Sequence, residues 1–289
     1  MNVLIAGASG QVGRALLATV PGGFRASAPS RAELDIGDAQ AVAKCVRRHS
    51  PDLLINAAAY TAVDKAEAES GLAYRVNAEG PAHLADACRE IGARLIQIST
   101  DFVFDGTSSV PYSPGAAPHP LNTYGASKLA GEQAVLRALR ERAVVLRTAW
   151  VYSARGSNFL VTMLRLMRNA GSVNVVADQV GTPTAAGSVA TAIWAIAMRT
   201  DLHGIHHWTD AGVASRYDFA VAIAEEATGL GQLPPGTVVR PISTAEYPTV
   251  ARRPSYSVLD LSSLTAALGL VPEHWRVALR TVLCEMGHA

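Results

Sequence analysis

The sequence predicts an α/β fold: a Rossmann-like doubly wound parallel sheet with a smaller C-terminal substrate-binding lobe. Three observations carry that expectation. The N-terminal half alternates short apolar runs with longer segments of helical periodicity, the pattern of parallel strands joined by right-handed helical crossovers. The first apolar run leads straight into Gly7-Ala8-Ser9-Gly10-Gln11-Val12-Gly13, a glycine loop ahead of a helix. The second half loses the alternation and gathers proline and glycine between Leu230 and Gly236.

The elements follow in order. Val3 to Ala6 reads as a strand and Gln11 to Thr19 as a helix. Phe24 to Ala28 is a short second strand, Ala39 to Arg48 a helix, and Leu53-Leu54-Ile55 a buried third strand. A long helix is expected from Ala73 to Ile91, with Leu84, Ala87, Cys88 and Ile91 on its apolar side. Arg94 to Ser99 is a strand, Tyr124 to Arg140 a helix, and Ala143 to Arg147 a strand. Further helices are expected over Asn158 to Asn169, Ala186 to Arg199, Tyr217 to Thr228 and Pro272 to Met286. Residues 1–150, joined by about 185–207, form the expected nucleotide-binding domain; residues 151–184 and 208–289 form the lobe.

Composition removes several function classes. Of 289 residues, 49% are hydrophobic and 17% charged, enough for a sizeable core. A net charge of +1 gives no electrostatic case for nucleic acid or an anionic membrane. The apolar run at the N-terminus is short and lacks a basic leader, so it reads as a strand and not a signal peptide. The longest apolar stretch, near Val189 to Met198, falls short of the ~20 residues of a membrane span. Cys45, Cys88 and Cys284 are odd in number and far apart, which suits free thiols in a reducing cytoplasm. The histidines show no metal-ligand spacing, and His206 and His207 in a strand would face opposite ways. No metal site is expected.

Ligands of such sheets bind beyond the carboxyl ends of the strands. In the glycine loop, Gly7 permits a sharp exit from the strand, Gly10 a close approach of backbone to a pyrophosphate, and Gly13 tight helix packing. After the second strand comes Ser30-Arg31, where an acid usually holds the ribose 2′-hydroxyl of NAD. Serine and arginine suit a 2′-phosphate, which favours NADPH and leaves NADH possible; Arg31 could instead stack on adenine or face solvent. Asp35 and Ile36 are placed to flank the adenine.

Tyr124 and Lys128 share one helix face at i and i+4. A free phenol has a pKa of about 10, and a neighbouring ammonium is expected to lower it. Lysine is scarce, only Lys44, Lys65 and Lys128, against 22 arginines, which suggests a specific task for Lys128. Taken alone, the pair is also compatible with an ordinary helix surface. With the glycine loop, it suggests hydride chemistry on a carbonyl.

Several stretches resemble one family, the extended short-chain dehydrogenases/reductases, and within them the dTDP-4-dehydrorhamnose reductases. They are Gly7 to Gly13, Asn56 to Glu67, Ser99 to Gly106, Asn122 to Glu132, Arg147 to Tyr152, Asp178 to Thr184 and Arg252 to Ser257, spread over almost the whole chain. The resemblance implies reduction of a 4-keto-6-deoxy sugar carried on dTDP, with Thr100, Tyr124 and Lys128 as the catalytic triad. It implies cofactor contacts from Gly7, Gly10, Gln11, Val12, Ser30, Arg31, Asp35, Ile36, Ala57, Ala58, Ala59 and Lys128. Substrate contacts are expected from Val63, Asp64, Asp101, Phe102, Trp150, Asn158 and Arg252, the last on the diphosphate or in a structural ion pair.

Two positions depart from the family pattern. Phe102 stands where tyrosine is common, which removes a hydroxyl near the sugar. Ala15 stands where some members carry a glutamate that supports a magnesium-linked dimer, so a monomer or weak homodimer is expected. A nucleotide-sugar dehydratase of the same fold would need a glutamate at Phe102. A 4-ketoreductase for another dTDP-deoxysugar remains open, and a non-catalytic NADP-binding regulatory subunit would be expected to lose part of the triad.

Overall fold

The apolar runs become a six-stranded parallel sheet in a computed structural model that describes residues 1–287. Its elements begin with β1 (Asn2–Ala6), α1 (Gln11–Ala18), β2 (Arg25–Ser27), α2 (Ala39–His49) and β3 (Leu53–Asn56). Asp38 caps α2 by accepting from the backbone N–H groups of Gln40 and Ala41, and Arg47, Arg48 and His49 occupy its negative end. Next come α3 (Val63–Ala68), α4 (Ser70–Tyr74) and α5 (Gly80–Ile91), then β4 (Arg94–Thr100), α6 (Thr123–Leu139) and β5 (Ala143–Thr148).

The helix expected over 73–91 starts earlier and is interrupted by a π-helical turn at Arg75–Glu79. That turn aims the buried Asn77 at two elements at once. Its side chain bonds both backbone groups of Tyr60 and donates to the Ser127 hydroxyl on α6 at 3.1 Å. Apolar periodicity does not encode such a turn.

Sheet order is β2-β1-β3-β4-β5, closed at the far edge by a strand from the second half. Connections diverge between β1 and β3, which opens a crevice at their carboxyl ends. Alternate strand residues feed two cores. Val3, Ile5, Leu53, Ile55, Ile96 and Leu146 face Leu16 of α1 and the apolar side of a later helix. Leu4, Ala6, Leu54 and Leu95 face Val42, Leu84, Val135 and Leu139 on α2, α5 and α6. Burial on both faces explains why these strands read as unbroken apolar runs.

The second half supplies β6 (Val151–Tyr152), α7 (Phe159–Ala170), β7 (Ser172–Val176), β8 (Val180–Gly181), β9 (Thr184–Ala185) and α8 (Ala186–Ala197). It continues with β10 (Gly204–His207), β11 (Ala214–Ser215), α9 (Arg216–Gly229), β12 (Val238–Ile242), α10 (Ser262–Leu268) and α11 (Trp275–Gly287). β10 joins the main sheet beside β5, and α8 covers the core face shared with α1. α7, α9 and α11 enclose a third core around Tyr152, Leu160, Phe219, Ile223 and Leu279. The short pairs β7–β12, β8–β11 and β6–β9 were not legible as strands. Among the described residues no helix is long and apolar enough to cross a membrane.

One polar contact pins α6 to the sheet. Glu132 and Arg147 are each 1% exposed and pair through two bonds of 2.9 and 2.6 Å, and the Ser99 hydroxyl donates to the same carboxylate. Removing one partner of such a pair leaves a buried charge uncompensated, at a cost of about 3–5 kcal/mol. Glu132→Gln is therefore expected to lower the unfolding free energy by about that much in a urea titration. Glu90→Gln, which breaks the surface pair with Arg47, is expected to leave the urea midpoint unchanged.

Candidate active site

The glycine loop leaves a bare helix end facing the crevice. Gly7 has φ +77, and a Cβ there would sit 2.4 Å from the backbone nitrogen of Ala58. Only glycine lets β1 and β3 approach so closely at their ends. Gly10 is the N-cap of α1 and offers no side-chain cap, and no acid lies in the first turn. The first N–H groups and the positive end of the helix dipole are thus available to a pyrophosphate.

A cavity of about 780 Å³ runs from this loop toward the end of β2. It brings together Gly7, Gly10, Ser30, Arg31, Asp35, Ile36, Ala57, Ala58 and Ala59. A second cavity, of about 550 Å³, shares Gly10, Ala57, Ala58 and Ala59 with the first and adds Gln11, Val12, Thr100, Asp101, Tyr124, Lys128 and Trp150. The two form one trough, and its lining offers the bare α1 N-terminus, Arg31 and Lys128 as donors for a dinucleotide. Two groups at its adenine end are already engaged. Ser30 donates through its hydroxyl and its backbone N–H to Glu33, both at 2.9 Å, and Asp35 meets Arg75 at 3.3 Å. A separate cleft of about 710 Å³ between α1, α8 and α11 holds none of Thr100, Tyr124 and Lys128.

α6 presents Tyr124 and Lys128 to the same cavity, one turn apart. The helix starts because Asn122 accepts from the Gly125 N–H and its amide donates to the Arg252 carbonyl. It sits close to the Thr100 loop because Gly125 has no side chain; a Cβ there would lie 2.1 Å from the Phe102 carbonyl oxygen. Lys128 is nearly buried and donates to the Ile98 carbonyl on β4 at 2.6 Å. Burial lowers its pKa to about 8, with Glu132 opposing the fall.

The expected lowering of the Tyr124 pKa is not what the fold produces. Burial pushes the phenol up to about 12, against the pull of its hydrogen bond with Thr100 and helped by the charge of Asp101. The reason is geometric: the Lys128 ammonium is turned to Ile98, and desolvation dominates. Thr100 in turn donates to Asp101 at 3.0 Å. Asp101 is 2% exposed and raised to about 6 by burial, with bonds from Ser257 and Thr100 and the charge of Arg216 holding it down.

The residues expected at the substrate fall into two groups. Asp101 and Trp150 line the chemical cavity. Trp150 does so from a left-handed backbone, φ 47, and a Cβ on Gly181 would lie 2.7 Å from its ring. The others lie outside that lining. Phe102 is buried and sets its ring edge-on to Tyr124, centroids 5.8 Å apart, so it orients the phenol. Val63 opens α3, half-buried. Asp64 forms a two-point ion pair with Arg253 that holds its carboxyl below the usual range. Asn158 caps α7 through the Val161 N–H and donates to Gln11 at 2.8 Å. The Arg252 side chain is exposed.

Arg216 was not anticipated. Its guanidinium carbon lies 3.5 Å from the centroid of the Trp150 ring. A signal existed in the sequence: a cation directly after the N-cap Ser215, inside the capping box that Asp218 closes, stands at the positive end of a helix, the end that disfavours it.

Comparison with known proteins shows one family over nearly the whole chain. The family described as RmlD substrate binding domain matches residues 1–287. A dTDP-4-dehydrorhamnose reductase of Aggregatibacter actinomycetemcomitans is 41% identical, over 97% of this chain and 98% of that protein. One from Mycobacterium tuberculosis is 45% identical, over 98% and 92%. The crystal structure of dTDP-4-dehydrorhamnose reductase from Bacillus anthracis in complex with NADP superposes with a TM-score of 0.92 at 35% identity, covering 98% of this chain and 99% of that one. The chain belongs to the RmlD substrate binding domain family, which it shares with these dTDP-4-dehydrorhamnose reductases.

Proposed function

We propose that this protein reduces the 4-keto group of dTDP-4-dehydro-L-rhamnose to give dTDP-L-rhamnose, with Tyr124 as the proton donor. The observation that carries the reading is the meeting of Thr100, Tyr124 and Lys128 in one cavity that continues the dinucleotide trough. The enzyme is an NADPH-dependent oxidoreductase, in keeping with its reductase relatives and the NADP-bound neighbour. Gly7, Gly10 and the α1 N-terminus would hold the pyrophosphate, Arg31 the 2′-phosphate, and Lys128 the nicotinamide ribose.

The bound cofactor supplies a hydride to the sugar C4. Charge then develops on the carbonyl oxygen, and the chain must neutralise it. Tyr124, kept protonated by burial, gives its proton only to an oxygen more basic than a phenolate, such as a forming alkoxide. Thr100 would stabilise the same oxygen by turning its one O–H from Asp101, to which it donates at 3.0 Å, to the sugar. Lys128, one helix turn away, stabilises the phenolate that results. Phe102 carries no ionisable group, which argues against the second acid–base step of a dehydratase.

Tyr124→Phe is expected to lower kcat by about 10²–10⁴-fold while NADPH still binds, read from the loss of nicotinamide absorbance with the keto sugar and from a fluorescence titration. Near-normal turnover would remove Tyr124 as the acid. No NADPH oxidation by the wild type with that sugar would sink the reductase reading, and NMR of the product fixes the C4 configuration.

The pH profile follows from the cavity. Lys128 is charged below about 8 and loses its proton as pH rises through that value. Turnover is expected to decline above about pH 8, while Tyr124, near 12, stays protonated across the assay range. Lys128→Met is expected to be slower at every pH and to lack that alkaline decline.

A further inference from the structure

Three arginines of the second half adjoin groups of the site, Arg216 over Trp150, Arg253 within electrostatic reach of Arg216 and Arg252 through its carbonyl on Asn122, and two are accounted for. Arg253 gives both terminal nitrogens to Asp64, and Arg252 points to solvent. Arg216 is different. It lies over the Trp150 ring at 3.5 Å and near the Phe159 ring at 5.4 Å. Among the described residues its guanidinium makes no hydrogen bond and no ion pair. Asp101 acts on it electrostatically without forming an ion pair, so the donors are not taken up.

Its surroundings favour an anion. Arg216 is the first residue of α9, and Phe159 the first of α7, so two positive helix ends meet at this point. Arg253 adds repulsion that a negative ligand would relieve. Burial, with that repulsion, draws the Arg216 pKa down to about 10 against the pull of Asp101, a state that a bound oxyanion would reverse. The stacking on Trp150 fixes the guanidinium plane, and a planar fork offers paired N–H groups along its edge. The platform is itself held in place by the left-handed backbone of Trp150 and the missing side chain of Gly181.

We propose that Arg216, presented on Trp150, binds the diphosphate of the nucleotide sugar. The inference rests on the nucleotide-sugar reading above and names the residue that meets its only anionic part. The α9 cap thus carries a cation that its own helix disfavours, a local misfit of the kind found at functional positions.

Calorimetric titration of full-length wild type and Arg216→Gln with dTDP, in the presence of NADP, tests it without turnover. The expected result is about ten- to hundredfold weaker dTDP binding, as for loss of a charge-assisted bond. NADP affinity is expected to stay within about twofold, and KM for the keto sugar to rise far more than kcat falls. Arg216→Lys should recover part of the affinity. An unchanged dTDP affinity in a folded Arg216→Gln protein overturns the proposal. So does a loss confined to the sugar nucleotide, or a loss seen in Arg252→Gln and not in Arg216→Gln. If wild type binds UDP or GDP and not dTDP, the dTDP reading fails, and weaker binding of that nucleotide by Arg216→Gln still sustains the anion site.

Discussion

The position of α6 on the sheet is the constraint on which the site depends, and the buried Glu132–Arg147 pair sets it. Arg147 lies on β5 and Ser99 on β4, and both bond the Glu132 carboxylate. Lys128 is one turn earlier on the same helix, and its ammonium reaches the Ile98 carbonyl of β4. Rotation of α6 would break these contacts together. Tyr124 therefore approaches Thr100 with its azimuth fixed by groups below it in the sheet.

Close backbone contact fixes the remaining freedom. Gly125 lets the first turn of α6 lie against the Phe102 carbonyl, and Gly131 lets the third lie against that of Asn77. Asn77 then links the loop after β3 to Ser127. The loop after β3, α6 and the Thr100 loop are joined by short contacts, and sub-ångström placement of a donor is what the proposed general acid catalysis would require. The cost is visible in Tyr124 and Lys128, whose charged states burial disfavours. Each is an unfavourable local state held by the surrounding fold, as expected where chemistry and not stability selects a residue.

The C-terminal lobe contributes in another way. Its core is apolar, and its Arg253 is paired with Asp64 on α3. The Asp64 contact crosses 189 positions of sequence and ties the first turn of α3 to the loop after Ala251. Arg216, stacked on Trp150, has no ion pair among the described residues.

Much of this was legible without coordinates. The unbroken apolar runs, the glycine loop and the i, i+4 spacing of Tyr124 and Lys128 express interactions within a few residues, and local periodicity records them. They gave the parallel sheet, the dinucleotide trough and the face of α6 that carries the pair. What the sequence could not give depends on partners far along the chain. Asp64 pairs with Arg253, Asn158 bonds Gln11 and Phe102 sets its ring against Tyr124, contacts that spacing along the chain does not encode. The direction of the Tyr124 shift was likewise decided by tertiary packing. An ammonium four residues away predicts a lower pKa, but desolvation by the assembled cavity outweighs it. Sequence alone determined which side chains could meet, because spacing along a helix or strand is a local property. Only the folded structure decided which of them do meet and how much water stays between them, because both depend on what is packed around each group.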